Sequence, residues 1–224
     1  MAITRRSKPV TVSDVAARAG VHPSTVSRAL NEGTDRVSAE LVERVLRAAK
    51  ELGYRPNGMA RALRLERSSS VGMLIPDISN PIYAPIVRGV EDVLRSAGMS
   101  VFIASTDNDL EREADTLTRM LDRRVDGLLL ATATRDYPHA QRLRNANIPV
   151  VLINRATSEF LAPVVQVDDE RGVRLAVEHL RALGHTKFAH VAGTAAVSSG
   201  YDRQRAFVRS IQEAGLPLDP AAIV

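Results

Sequence analysis

Between Thr11 and Asn31 the chain reads TVSDVAARAGVHPSTVSRALN, and three hydroxyls, Ser24, Thr25 and Ser27, stand there beside the guanidinium of Arg28. Short hydroxyl side chains reach phosphates and adaptable base edges, and arginine binds the O6 and N7 of guanine with two hydrogen bonds. This set has the chemistry of a surface that reads a DNA groove. Val26, Ala29 and Leu30 recur at helical spacing in the same segment, which places the four polar residues on the outward face of a helix. Pro23 suits the first position of that helix, where its missing N–H would be unpaired anyway.

A helix that short needs neighbours. Val12, Val15, Ala16 and Ala19 form one apolar stripe, Thr11 and Asp14 supply an N-terminal capping pair, and Gly20 can take the left-handed backbone that ends the helix. About three residues of turn separate the two helices. Ser38 begins a third, with Leu41, Val45, Leu46, Ala49 and Leu52 at helical spacing and Gly53 as a stop. Three helices close a small core that the first two could not close alone. Taken by itself, Thr11 to Asn31 also reads as a generic helical hairpin with a solvated face.

Charge separates this region from the remainder. Residues 1–70 carry 13 Lys and Arg against 7 Asp and Glu, while residues 71–224 carry 17 against 19. Basic charge confined to one small region is an electrostatic footprint for a phosphate backbone. No cysteine is present, which removes disulfides and thiolate metal sites. No apolar stretch is long enough to span a bilayer, and the basic start MAITRRSK is not followed by an apolar signal core. A soluble, cytoplasmic protein with no membrane partner is expected.

From Val71 onward short apolar runs alternate with amphipathic stretches. VGMLI, SVFIAS, DGLLLA, PVVLIN, VVQV and FAHVAG are expected strands, and helices are expected over about 81–97, 110–123, 137–146, 171–183 and 202–214. Gly98, Gly184 and Gly215 serve as helix stops. Near-continuous apolar strands between helices imply a parallel sheet covered on both faces, a doubly wound α/β core.

Open sheets of this kind bind ligands at the carboxyl ends of their strands. The residues that follow the apolar runs there include Asp77, Asn80 and Tyr83, then Thr132 and Thr134, then Asn154 and Arg155, then Asp168. Carboxylates and amides can bond the hydroxyls of a sugar while an aromatic ring covers its apolar side, and Arg203 could add a bidentate donor. A purine would also suit Tyr83 and a few amides. Local structure competes for the same residues: Asp77 to Pro81 reads as a turn with Asn80 capping a helix, and Asp168-Asp169-Glu170 reads as an acidic helix start.

Catalytic patterns are absent. The five histidines, at 22, 139, 179, 185 and 190, form no His-x-x-x-His pair, and neither a Gly-x-Ser-x-Gly elbow nor a phosphate-binding glycine loop occurs. Asp107-Asn108-Asp109 lacks the glycine and distal glutamate of a calcium loop, and reads as a turn and helix cap. No enzyme, cofactor or metal is expected.

The motifs DVAARAGVHPSTVSRALN, VSAELVERVLRAAKELGYRPN, ARAL and VGMLIPDISNPIYAPIVRGVE occur in one order, followed by VDGLLL, IPVVLINR, VDDERGVRLAVEHLRALGH and FAHVAG. In this order they resemble the LacI/GalR family of bacterial transcription regulators, over the whole chain. The resemblance implies a helix-turn-helix domain at 1–56, a hinge helix and linker at 57–70, and an effector-binding, periplasmic-binding-protein-like core at 71–224. It implies a homodimer on a palindromic double-stranded operator and a small-molecule effector, sugar-like or nucleoside-like, between two subdomains.

Ser24 and Arg28, with apolar help from Pro23, would then read bases, and Thr11, Thr25, Ser27, Asn31 and Tyr54 would hold phosphates. The family's hinge folds on the operator, so Asn57 would cap it and Ala60 and Leu63 would occupy the minor groove, Leu63 as a wedge. A flexible connector ending in Ser68-Ser69-Ser70 is the other reading of this segment. Pro23 and Ser24 depart from the longer polar pair of some relatives, which shifts sequence preference toward Arg28 and the hinge. Roughly the last third of the family's usual length is missing, leaving the core incomplete. Two readings stay open: an effector-responsive repressor, or a constitutive or non-functional DNA-binding fragment. A periplasmic sugar-binding protein shares the architecture but not the basic hairpin.

Overall fold

The computed structural model describes residues 10–30, 37–54, 68–159 and 162–224. The chain divides into two compact units, Met1–Leu65 and Glu66–Val224.

In the first unit, α1 (Val12–Ala19), α2 (Pro23–Ala29) and α3 (Ala39–Glu51) enclose one apolar cluster. Thr11 closes a full capping box: its backbone N–H donates to Asp14 Oδ2 at 2.8 Å, and the Asp14 N–H donates to its Oγ1. Gly20 ends α1 at φ +64°, in the left-handed region that its missing Cβ makes accessible. Val15, Ala16, Val26, Ala29 and Val45 are buried. Leu46, expected in the apolar stripe of α3, is instead half exposed; Ala48 takes the buried position. The core is narrow enough that alanine fills what leucine would overfill.

In the second unit, β1 (Ser70–Ile75), β2 (Ser100–Ser105), β3 (Gly127–Leu130), β4 (Val150–Ile153) and β5 (Val164–Val165) form a parallel sheet in the order β2-β1-β3-β4-β5. Val71 pairs with Val101 on one side and Gly127 on the other, and Leu128 with Val150. Because successive side chains point to opposite faces, β1, β3 and β4 each feed two cores. Leu74, Leu128, Leu130 and Leu152 pack with Leu117 and Met120 of α5 (Leu110–Asp122) and Leu143 of α6 (Ala140–Ala146). Met73, Ile75, Leu129 and Ile153 pack on the other face with Tyr83, Ile86 and Val90 of α4 (Tyr83–Ser96). At Gly72 the sheet leaves no room, since a Cβ would lie 2.8 Å from Leu128 Cδ2.

A further pair, α7 (Asp169–Ala182) and α8 (Ser198–Glu213), closes its own small cluster around Val177, Phe207 and Ile211. Two expectations are corrected here. FAHVAG is not a strand: among the described residues only Ala222–Val224 run beside it, giving a single bridge, His190 to Ile223. Also, β2 is not covered on both faces; Phe102 and Ile103 are 42% and 39% exposed on this edge strand.

One carboxylate lies inside the sheet's core. Glu113, 2% exposed, accepts from Thr132 Oγ1 and from the Tyr137 hydroxyl at 2.7 Å. Burial and the adjacent Glu113 carboxylate push the Tyr137 phenol far above the ordinary tyrosine value, so it remains a proton donor. Tyr137→Phe would strand part of a buried carboxylate. Urea denaturation should show a loss of about 1–3 kcal/mol, the cost of leaving one buried polar group unsatisfied; unchanged stability would mean that Thr132 alone suffices.

Candidate nucleic-acid interface and ligand cleft

The start of α2 is built from three consecutive constraints. His22 is the N-cap, with extended backbone, and its Nδ1 accepts the Ser24 N–H at 3.3 Å. Pro23 fills the first helical position, and the Thr25 N–H donates to the His22 carbonyl at 2.8 Å. Val26 and Ala29 anchor the opposite face in the core. Pro23, Ser24 and Arg28 are exposed as the sequence places them, whereas Thr25 and Ser27 are half-buried. Ser24 Oγ lies 2.8 Å from His22 Nδ1.

Thr11 is exposed, with its hydroxyl on Asp14 Oδ2 at 2.7 Å, and Tyr54 packs partly against the three-helix core. Asn31, Asn57, Ala60 and Leu63 lie outside the described residues. His22 carried no sequence signal of its own, because histidine is not among the strong N-cap types. Its place directly before an N1 proline was the usable clue.

At the carboxyl ends of the strands, each expected cleft residue already has a partner or a place in the core. Asp77 is held below the ordinary carboxylate value by the Ser79 hydroxyl and amide, both donating to Oδ1. Asn80 Oδ1 accepts from the Ile82 N–H. Tyr83 is 3% exposed, its ring packed among Met73, Ile75, Ala131 and Ile153. Thr132 is spent on Glu113. Arg155 donates to Asn108 Oδ1 at 3.2 Å, which joins the loops after β4 and β2. Asp168 caps α7 through the Arg171 N–H, and Arg203 donates to Asp169 at 2.6 Å.

The set therefore falls into separate groups. Arg155 meets Asn108, Thr132 meets Glu113 and Tyr137, and Arg203 meets Asp169 next to Asp168. An open groove of about 1020 Å³ along α7 and α8 takes in Asp168 and Asp169 together with Tyr201, Asp202 and Arg205; Asp77, Asn80, Tyr83, Thr132, Arg155 and Arg203 do not line it. Contacts between the sheet and α8 run through Arg135, whose guanidinium lies 3.7 Å from the Tyr201 ring centroid, and through the Ala156 N–H, which donates to Ser198 Oγ at 2.7 Å. Glu113 was legible in retrospect, since its spacing to Leu117 and Met120 puts it on the buried stripe of α5.

Residues 11–57 match the family model "Bacterial regulatory proteins, lacI family", and residues 68–223 match "Periplasmic binding proteins and sugar binding domain of LacI family". The chain is 39% identical to the ribose operon repressor of Halalkalibacterium halodurans over 91% of its own length and 60% of that protein. It is 34% identical to catabolite control protein A of Priestia megaterium over 96% of its length and 65% of that protein. The lac repressor dimer bound to operator and the anti-inducer ONPF superposes with a TM-score of 0.79 at 29% identity, covering 94% of this chain and 64% of that one. The regulator CelR in complex with cellobiose gives 0.63 at 31% identity, covering 96% and 64%. The chain thus spans about 60% to 65% of the length of these relatives.

The capping box sets the first helix against which α2 is held. Thr11→Ala removes it, with an expected loss of about 1 kcal/mol. Thermal unfolding followed by helical circular dichroism reads this directly; an unchanged midpoint would show that packing alone fixes α1.

Proposed function

We propose that this chain, which belongs to the lacI family of bacterial regulatory proteins, is a sequence-specific DNA-binding transcriptional regulator. It acts as a cytoplasmic repressor that grips a palindromic operator as a homodimer, under control of a sugar-like or nucleoside-like effector. The observation that carries this reading is the exposure of Ser24 in the first turn and Arg28 in the last turn of one short helix, whose start is fixed by His22 and Pro23.

Arg28 takes the role of the bidentate guanine reader, with Ser24 and Pro23 facing the adjoining bases. Thr11, Thr25, Ser27, Asn31 and Tyr54 hold phosphates, which fixes the register of the helix in the groove. Asn57 caps the hinge, and Ala60 and Leu63 enter the minor groove, where an apolar wedge unstacks a flexible base step and bends the duplex.

Support for the dimer comes from β2 and the helix packed beside it. Phe102 and Ile103 on the edge strand, and Ile82 and Val93 at and along α4, are large apolar side chains open to water. A second copy would cover them and cap the sheet edge. Support for the effector comes from the strand-end polar groups, among which Arg155, Asp168 and Arg203 retain exposed surface. The relatives named for ribose, sucrose and cellobiose favour a sugar. No described helix is long and apolar enough to cross a membrane.

Arg28→Ala should cost about 1–3 kcal/mol of discrimination at one base pair per half-site, leaving other positions untouched. Competition binding against single-base operator variants measures this; equal affinity of the unmodified chain for all variants would remove the assignment.

Effector control is read from operator affinity and thermal midpoint across a panel of sugars and nucleosides. Arg203→Ala should abolish the response to the active compound while changing basal stability by no more than about 1 kcal/mol, since its pair with Asp169 is partly solvated. Absence of any response in the unmodified chain would remove the effector from this reading.

A further inference from the structure

The start of α2 sets not only where Ser24 sits but which way its hydrogen bond points. The Nδ1 of His22 accepts the Ser24 amide N–H, so that nitrogen carries a lone pair and no proton. The same nitrogen lies 2.8 Å from Ser24 Oγ. A proton-free nitrogen joins a hydroxyl only when the hydroxyl donates. In the tautomer that accepts the amide, the single proton of Ser24 shares that same lone pair, and its oxygen keeps only lone pairs for other partners.

The neighbouring backbone offers no substitute donor. Pro23 has no N–H, the Ser24 N–H is held by the ring, and the Thr25 N–H is held by the His22 carbonyl. A free serine hydroxyl donates and accepts with equal ease and separates base edges poorly, whereas an oriented one does not.

We propose that His22 is a positioning residue that makes Ser24 an obligate acceptor, so that Ser24 reads an exocyclic amino group in the major groove. On the strand facing Ser24 this selects adenine N6 or cytosine N4 against guanine and thymine, whose edges there present acceptors. The inference rests on the DNA-reading function proposed above, and it assigns that function a base preference at a second position beside the guanine of Arg28.

Affinity selection of the full 224-residue chain on a pool of randomised duplexes tests it, with H22A, H22N and S24A as comparisons. The unmodified chain should enrich adenine or cytosine about three- to tenfold at one position per half-site, the ratio given by one neutral hydrogen bond. S24A should flatten that position and leave the Arg28-dependent guanine in place. H22A should accept all four bases there. H22N, whose Oδ1 can replace Nδ1 as the acceptor, should restore the preference.

Guanine or thymine at the position that S24A flattens overturns the inference, as does an unaltered preference in H22A. Should H22A not fold for want of its cap, H22N decides, and a flat position in H22N overturns the inference. Guanine enrichment through Arg28 with the wrong base opposite Ser24 defeats this inference alone. An unmodified chain that enriches nothing defeats the DNA-reading function with it.

Discussion

A parallel sheet has no face to spare for water. The three central strands of the second unit, β1, β3 and β4, bury one set of side chains under α4 and the alternate set under α5 and α6, which leaves strand ends as the places where their backbone and side-chain polar groups meet solvent. The strand order reverses between β1 and β3, the kind of point at which open α/β sheets bind ligands. Polar residues collect after the strands for this reason before any ligand is considered. Glu113 shows how firmly the interior is sealed: it is tolerated only because Thr132 and Tyr137 both donate to it.

The first unit solves a harder problem with less material. Its core is made largely of valine and alanine, which supplies little burial energy, so helix ends matter more. Thr11 with Asp14, Gly20, and His22 with Pro23 each settle backbone groups that a short helix leaves unpaired. A side effect is that the exposed residues of α2 stand on a fixed backbone, with Ser24 Oγ 2.8 Å from the cap that starts its helix.

Much of this was legible in the residues. The 3.6-residue stripes located α1 to α3, the apolar runs located β1 to β4, and Gly20, Gly98, Gly184 and Gly215 marked helix ends. Misses have physical causes. FAHVAG has strand composition but makes a single bridge among the described residues, and composition does not report pairing. SVFIAS has buried composition but an edge position, which only the sheet order reveals. Tyr83 lies one turn into the segment after β1, where an aromatic ring can equally turn inward, and the deep position beside Met73 and Ile75 wins on burial of its ring. His22 and the partners of Glu113 were missed because each acts through specific hydrogen bonds, and sequence periodicity reports faces, not partners.

The strand-end groups carry a further consequence for any molecule that binds among them. Arg155 already satisfies Asn108, Arg203 already satisfies Asp169, and Asp77 already accepts twice from Ser79. A ligand must therefore replace existing bonds instead of filling vacant ones, and each exchange returns only the difference between two hydrogen bonds. Selectivity under that condition favours a ligand offering several hydroxyls at once, because one isolated polar group would displace a partner for no net gain. Bonds exchanged at Arg155 and Asn108 also release the two loops after β4 and β2 from each other. For a ligand that exchanged this bond, binding and loop rearrangement would be one event, the free energy of one limited by the other.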